Sequence, residues 1–282
     1  MNCTFGDDRD VVSLTWPTGS DTENPAPTAG GAAVARTVAT RTPVTRTLLR
    51  CGVVAGPLFV ATTAVQAATR DGFDLRRHGI SLLSHGDLGW VQMANFVVAG
   101  LLVTGFAAGV SRMPHPGRLG ALAAPLLGVA GLGLVLAGSF RVRSYGGFPL
   151  GAAGTVPVSP SIAARDGLLH DVGTVLAINA GLLACLALAR RFARSGDRGW
   201  ARYSVLTAMV GAALAWWPLG GTAVRLALVT VVLMSWVSLV ATRLLREQRA
   251  LRERHTLTQL GVGRPGRRSP RGSGPRAADR GV

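Results

Sequence analysis

Residues 119–140, LGALAAPLLGVAGLGLVLAGSF, carry no charged side chain and are framed by Arg112 and Arg118 before them and Arg141 and Arg143 after them. A helix rises ~1.5 Å per residue, so a block of ~20 residues crosses a hydrocarbon core of ~30 Å. Working outward, similar blocks lie on both sides. Spans are expected at about 48–68, 89–111, 119–140, 167–189, 201–219 and 222–243. One such block could be a signal peptide, but six in succession cannot. The expected fold is therefore all-α, a polytopic six-helix transmembrane bundle.

Composition agrees. Of 282 residues only 16% are charged, against about a quarter in soluble domains, and mean hydropathy is +0.34. All 30 basic residues are Arg, giving a formal charge of +16. This usage, with abundant Ala, Gly and Val, points to a GC-rich genome such as that of an actinobacterium. A pI near 11.7 invites a nucleic-acid reading. However, the Arg residues cluster beside the spans, where anionic headgroups and the positive-inside rule account for them. The expected partners are membrane lipids, not nucleic acid.

Three regions follow. Residues 1–46, rich in Thr, Pro, Gly and Ala, read as a disordered tail. Residues 47–245 form the membrane domain, and 246–282 a basic, largely disordered tail that begins as a charged helical extension. With the N-terminus inside, cytoplasmic segments hold twenty-two Arg and the outer segments seven, Arg9 aside. Both termini are thus expected in the cytoplasm of a bacterial plasma membrane. Arg225, at the start of the last span, is expected to snorkel to the outer headgroups. Gly128, Gly131, Gly133 and Gly138 offer small-residue helix packing in the third span. Cys3, Cys51 and Cys185 lack ligand spacing and read as packing residues.

Two outer loops carry a pattern. Arg70-Asp71-Gly72-Phe73-Asp74-Leu75-Arg76-Arg77-His78-Gly79-Ile80-Ser81-Leu82-Leu83-Ser84 runs into Gly89-Trp90-Val91-Gln92-Met93-Ala94-Asn95-Phe96. Further on come Gly147-Phe148-Pro149-Leu150-Gly151 and Gly167-Leu168-Leu169-His170. This resembles the DUF998 family of bacterial and archaeal integral membrane proteins over roughly residues 47–245. The resemblance implies architecture rather than chemistry, since that family has no assigned function. Relatives usually carry an Asp-Pro pair ahead of the Gly-Phe-Pro. Arg143-Ser144-Tyr145-Gly146 stands there here, so a role for an acidic group in that loop does not carry over.

Wound as a helix at ~100° per residue, residues 73–85 place Asp74, Arg77, His78, Ser81, Ser84 and His85 within an arc of roughly 120°. Such a segment is too short to span and is expected as a short interfacial helix in the first outer loop. Asp74 and His78 are i, i+4, so the carboxylate is expected to orient the imidazole. His170 and Asp171 start the fourth span near the same face. The candidate outer-face polar site is Asp74, Arg77, His78, Ser81, His170 and Asp171, with Gln92, Asn95 and Asn179 extending it downward.

Three readings stay open. The first is a site that binds or transports a lipid or small polar molecule. The second is a membrane-embedded hydrolase, metal-dependent or not. The third is a structural protein in which these residues satisfy one another and the headgroups. No cofactor is implied. His78 and His85, seven apart and ~10 Å along a helix, cannot share a metal. A metal would need His78 with His170 or Asp171. Ser81, His78 and Asp74 lack a GxSxG context for a triad.

Overall fold

The computed structural model describes residues 29–113, 118–149, 159–218 and 220–259. The N-terminal tail before Ala29, His115, most of the basic C-terminal tail, and Leu150 and Gly151 of the second motif lie outside the described residues. The chain divides into two units, Met1–Thr40 and Arg41–Val282, and the second holds the bundle. The helices of the chain are α1 (Ala29–Thr69), of which residues 41–69 belong to the second unit, α2 (Gly89–Val110), α3 (Arg118–Ala121), α4 (Ala123–Ser139), α5 (Pro160–Arg194), α6 (Arg198–Trp216) and α7 (Thr222–Gln259). Among the described residues there is no strand. Five helical stretches are long and apolar enough to cross a membrane: Pro43–Thr69, Gly89–Val110, Leu119–Ser139, Pro160–Arg194 and Thr222–Glu253. The 19-residue α6, with Arg198 and Arg202 in its first turns, falls short of that composition.

Helix bounds differ from those expected. α1 begins at Ala29 instead of 48, and α7 runs to Gln259. α5 starts at Pro160 rather than 167 because Pro fits the first turn, where its missing N–H costs nothing. The third span is interrupted at Leu122, between α3 and α4, three residues before Pro125. Pro125 lacks the N–H that the carbonyl one turn earlier would accept.

Close approaches fix the order of helices. The middle of α1 meets the C-terminal end of α2, with Gly109 against Leu48 and Leu49. α2 and α4 pair through Gly100 and Gly131, and Gly138 lies against Met93 and Phe96. α4 and α5 touch backbone to backbone: a Cβ on Gly133 would lie 2.7 Å from Ala177 N, and one on Gly173 would lie 2.6 Å from Ala137 N. Small residues permit this distance in a bundle that gains little from burying apolar surface already in lipid. α6 returns beside α5 and α7, where Trp236 Nε1 donates to Ser204 Oγ at 3.1 Å. α7 closes on α1: Gly52 faces Ala241, and Ser238 Oγ accepts from Gly56 N (3.2 Å) and donates to Gly52 O (3.0 Å). Apart from α3, which leads into α4, successive helices are antiparallel neighbours.

One end of the bundle is tied by ions. Arg191, its side chain 3% exposed, grips Glu247 with both terminal nitrogens, at 2.7 and 3.2 Å. Arg243 holds Asp197 at 2.8 Å and approaches Glu247 at 3.9 Å. Asp197 also caps α6 by accepting from Trp200 N. Arg225 sits at the opposite end, at the α6–α7 turn. It donates to the carbonyls of Leu214 and Trp217, which end α6, and to Thr222 Oγ1. The α6–α7 turn sits within its reach, so those orphan carbonyls hold its guanidinium.

Candidate functional site

The first loop departs from the expected single helix over 73–85. Residues 74–78 form a turn, with the N–H groups of Arg77 and His78 both donating to Asp74 O. Gly79 is extended (φ −63, ψ 149), and a 3₁₀ turn occupies Ile80–Ser84. The break at Gly79 splits the polar stripe. Asp74 and Arg77 stay exposed and Ser81 is half-buried, while His78 and Ser84 are buried with Ile80, Leu82 and Leu83.

What forms instead is a cap, made by folding this loop onto residues 140–149. Phe148, 2% exposed, packs with Leu82 and Leu83, and Phe73 and Val142 close the cluster. Its ring meets Phe73 edge-on at 5.4 Å and His78 at 5.5 Å, and the Arg70 guanidinium lies over it at 5.5 Å. Arg70 further donates to Leu83 O (3.3 Å) and to His85 O. Gly79 N donates to Tyr145 Oη at 3.0 Å.

Three histidines each bond the α4–α5 connection or the end of α4. His78 Nε2 bonds Gly146 O (3.0 Å), His85 Nε2 bonds Val142 O (2.7 Å), and His170 Nδ1 bonds Ala137 O (2.7 Å) and Phe140 O (3.2 Å). A carbonyl only accepts, so each of these nitrogens donates. Gly146 must be glycine: its φ is +71°, and a Cβ there would lie 2.9 Å from His78 Cδ2.

The expected Asp74–His78 pairing is therefore reversed. His78 Nδ1 accepts from the backbone N–H of Asp74 at 3.0 Å, while the Asp74 carboxylate turns back to Arg76 N (2.9 Å) and lies 3.9 Å from Arg77. Main-chain N–H lies closer to the ring than the carboxylate because the turn brings residue 78 back over residue 74. His170 is buried and Asp171 exposed, so adjacent helical positions diverge. Gln92 and Asn95 do converge, joining Thr63 and Gln66 in a buried polar layer between α1 and α2. Gln66 Nε2 donates to Gln92 Oε1 at 2.7 Å, and Asn95 Nδ2 donates to Thr63 Oγ1 at 3.1 Å. Asn179 instead donates to Val175 O of its own helix. Among the described residues no group of three or more His, Cys, Asp or Glu is placed to hold a metal.

Burial pushes the His85 ring below its ordinary range. The bond to Val142 O opposes this, and the charges of Arg141 and His170 add to it. The unfolded chain thus binds this proton more tightly than the folded one, and stability rises with pH. The contribution is present above the ordinary imidazole value of about 6.5 and is lost as pH falls below it. Hydrogen exchange at residues 79–86 and 140–148, corrected for intrinsic rates, is expected to be faster at about pH 5 than at about pH 7.5. His85→Gln should abolish the difference. Equal protection at both pH values in the unaltered protein contradicts this account.

Beneath the cap, α1 and α7 part and leave a cavity of about 130 Å³. Phe59, Thr63 and Ala67 of α1 face Ala227 and Thr230 of α7 across it. Leu75 and Ile80 of the first loop also line it. Ala64, Leu75 and Val231 are both lining and exposed, so it opens sideways. Both threonine hydroxyls are engaged elsewhere: Thr63 in the polar layer, and Thr230 with Leu226 O at 2.8 Å. The arrangement offers an apolar binding surface.

A bundle of apolar, antiparallel helices closed at one end by interlocked loops defines a multi-pass α-helical membrane protein. It belongs to the DUF998 family: the family model, described as a protein of unknown function, matches residues 53–243. No curated protein and no solved structure matches the chain.

Proposed function

We propose that the protein binds the hydrocarbon part of a membrane lipid in the lateral cleft between α1 and α7. The observation that carries this reading is the side-opening cavity of about 130 Å³ whose only polar lining among the described residues, Thr63 and Thr230, has its hydroxyls bonded elsewhere. A dry cavity of roughly 150 Å³ takes up a benzene-sized apolar molecule, so the cleft suits part of a chain. Asp74, Arg77, His78, Ser81, His170 and Asp171 then belong to the frame of the cap. A polar-ligand site among them is less favoured, because His78 and His170 are each engaged by separate carbonyls.

We further read α6 as a sixth crossing. Arg191 near the end of α5 pairs with Glu247 of α7, and Asp197 at the start of α6 pairs with Arg243. These links support α6 running back through the thickness that α5 and α7 cross. Its 19 residues reach ~28 Å. Arg distribution supports a bacterial plasma membrane with both termini cytoplasmic and the cap outside, and an actinobacterial source suits the all-Arg composition.

The test is photocrosslinking of the full-length protein with a diazirine-bearing phospholipid in vesicles. Label is expected to concentrate in the peptides holding Phe59–Ala67 and Ala227–Val231. Ala64→Trp, which plugs the opening, should remove that enrichment. If label spreads evenly over exposed Leu101, Leu168 and Leu206 as well, the protein holds no lipid at this cleft.

A further inference from the structure

A second cavity, about 50 Å³, lies at the bundle centre among Val103 of α2, Leu127 of α4, Ala177 and Ile178 of α5, and Trp236 of α7. Thr230 lines both this chamber and the lateral cleft. One residue therefore borders both the membrane-facing opening and the interior of the bundle. A β-branched residue in a helix has little rotamer freedom, and its hydroxyl is tied to Leu226 O at 2.8 Å. The inner chamber is walled by apolar groups and holds roughly three or four water-sized units, too few for a ring system but enough for the end of a chain.

We infer that the ligand is a single unbranched hydrocarbon chain whose terminus passes Thr230 into the central chamber, so that Thr230 sets the chain length accepted. This rests on the lateral-cleft reading above. It extends that reading by naming the ligand's shape and the residue that measures it. A branched or cyclic apolar molecule would stop in the cleft. A straight chain that enters from the bilayer exchanges lipid neighbours for protein walls, so selectivity comes from fit to the chamber rather than from the hydrophobic effect.

The experiment is displacement of a crosslinking fatty acid from the full-length protein in mild detergent. The competitors are saturated fatty acids of increasing length in one arm and diacyl phospholipids with matched chains in the other. In the unaltered protein, competition should strengthen with length and then level off once the chamber is filled. Thr230→Leu should bring the plateau to shorter chains, with roughly tenfold weaker competition by the longest ones, the effect of losing about ten van der Waals contacts. Competition by the shortest chains should not change. Ile178→Phe fills the chamber from the opposite wall and should give the same shift, so the inference stays testable if either variant misfolds. Thr230→Val, which keeps shape, should behave as the unaltered protein. The arm that competes identifies the source as a free fatty acid or a phospholipid. A length profile that neither Thr230→Leu nor Ile178→Phe alters overturns the chamber inference and leaves the cleft standing. Failure of Ala64→Trp to reduce labelling overturns both.

Discussion

Phe148→Ala is expected to cost about 3 kcal/mol and to open the cap while leaving the helices assembled. The ring is 2% exposed and, among the described residues, is the one large side chain that the second loop contributes to the small core with Leu82 and Leu83. Its removal deletes the edge-on contact with Phe73, the contact with His78 and the cation–π contact with Arg70, and leaves a void that two irregular loops fill poorly. The cluster is separate from the main core of the bundle, so the loss should be local. Hydrogen exchange at residues 79–85 should accelerate while amides of α2 and α5 keep their protection. Unchanged exchange at 79–85 would show that the hydrogen bonds from Arg70 and the histidines hold the cap without the ring.

The second large effect lies at the other end. Glu247→Ala is expected to destabilise the protein by about 3 kcal/mol, read as a lower thermal midpoint in detergent. The cost comes from Arg191, whose guanidinium is buried and loses both bonds to the carboxylate. Removing one member of a buried pair costs more than the pair contributes, because the remaining charge keeps its desolvation penalty. Asp197→Ala should cost less, about 1 kcal/mol, since its bridge to Arg243 is a quarter or more exposed on both sides. If Asp197→Ala proves the more damaging, the cap of α6 rather than the Arg191 pair governs this end.

Much of the architecture was legible from local composition. A run without charges such as 119–140 has few alternatives to a membrane helix. The small residues of the third span read as packing surfaces; Gly131, Gly133 and Gly138 approach neighbouring backbone, while Gly128 faces open space. The site was less legible. The polar stripe over 73–85 depended on a continuous helix, and Gly79 breaks it by adopting an extended conformation. The i, i+4 spacing makes Asp74 and His78 neighbours, but their bond runs through the Asp74 N–H, which no side-chain pattern encodes. The two loop motifs marked the cap without indicating that they meet. Phe148 and His78 lie 70 positions apart, and only their shared burial joins them.

The lateral cleft left no mark in the sequence. Thr63 and Thr230 are ordinary residues within apolar runs, and a cavity is defined by what the neighbouring helices fail to fill. Chain composition by itself determined that the protein is helical, that its apolar blocks match a bilayer, and which loops carry its polar groups, because these follow from hydropathy and length along the chain. Tertiary structure alone decided which histidine meets which carbonyl, that Arg191 meets Glu247, and where α1 and α7 separate. Those outcomes depend on distances between segments remote in sequence, which are set by packing rather than by local pattern.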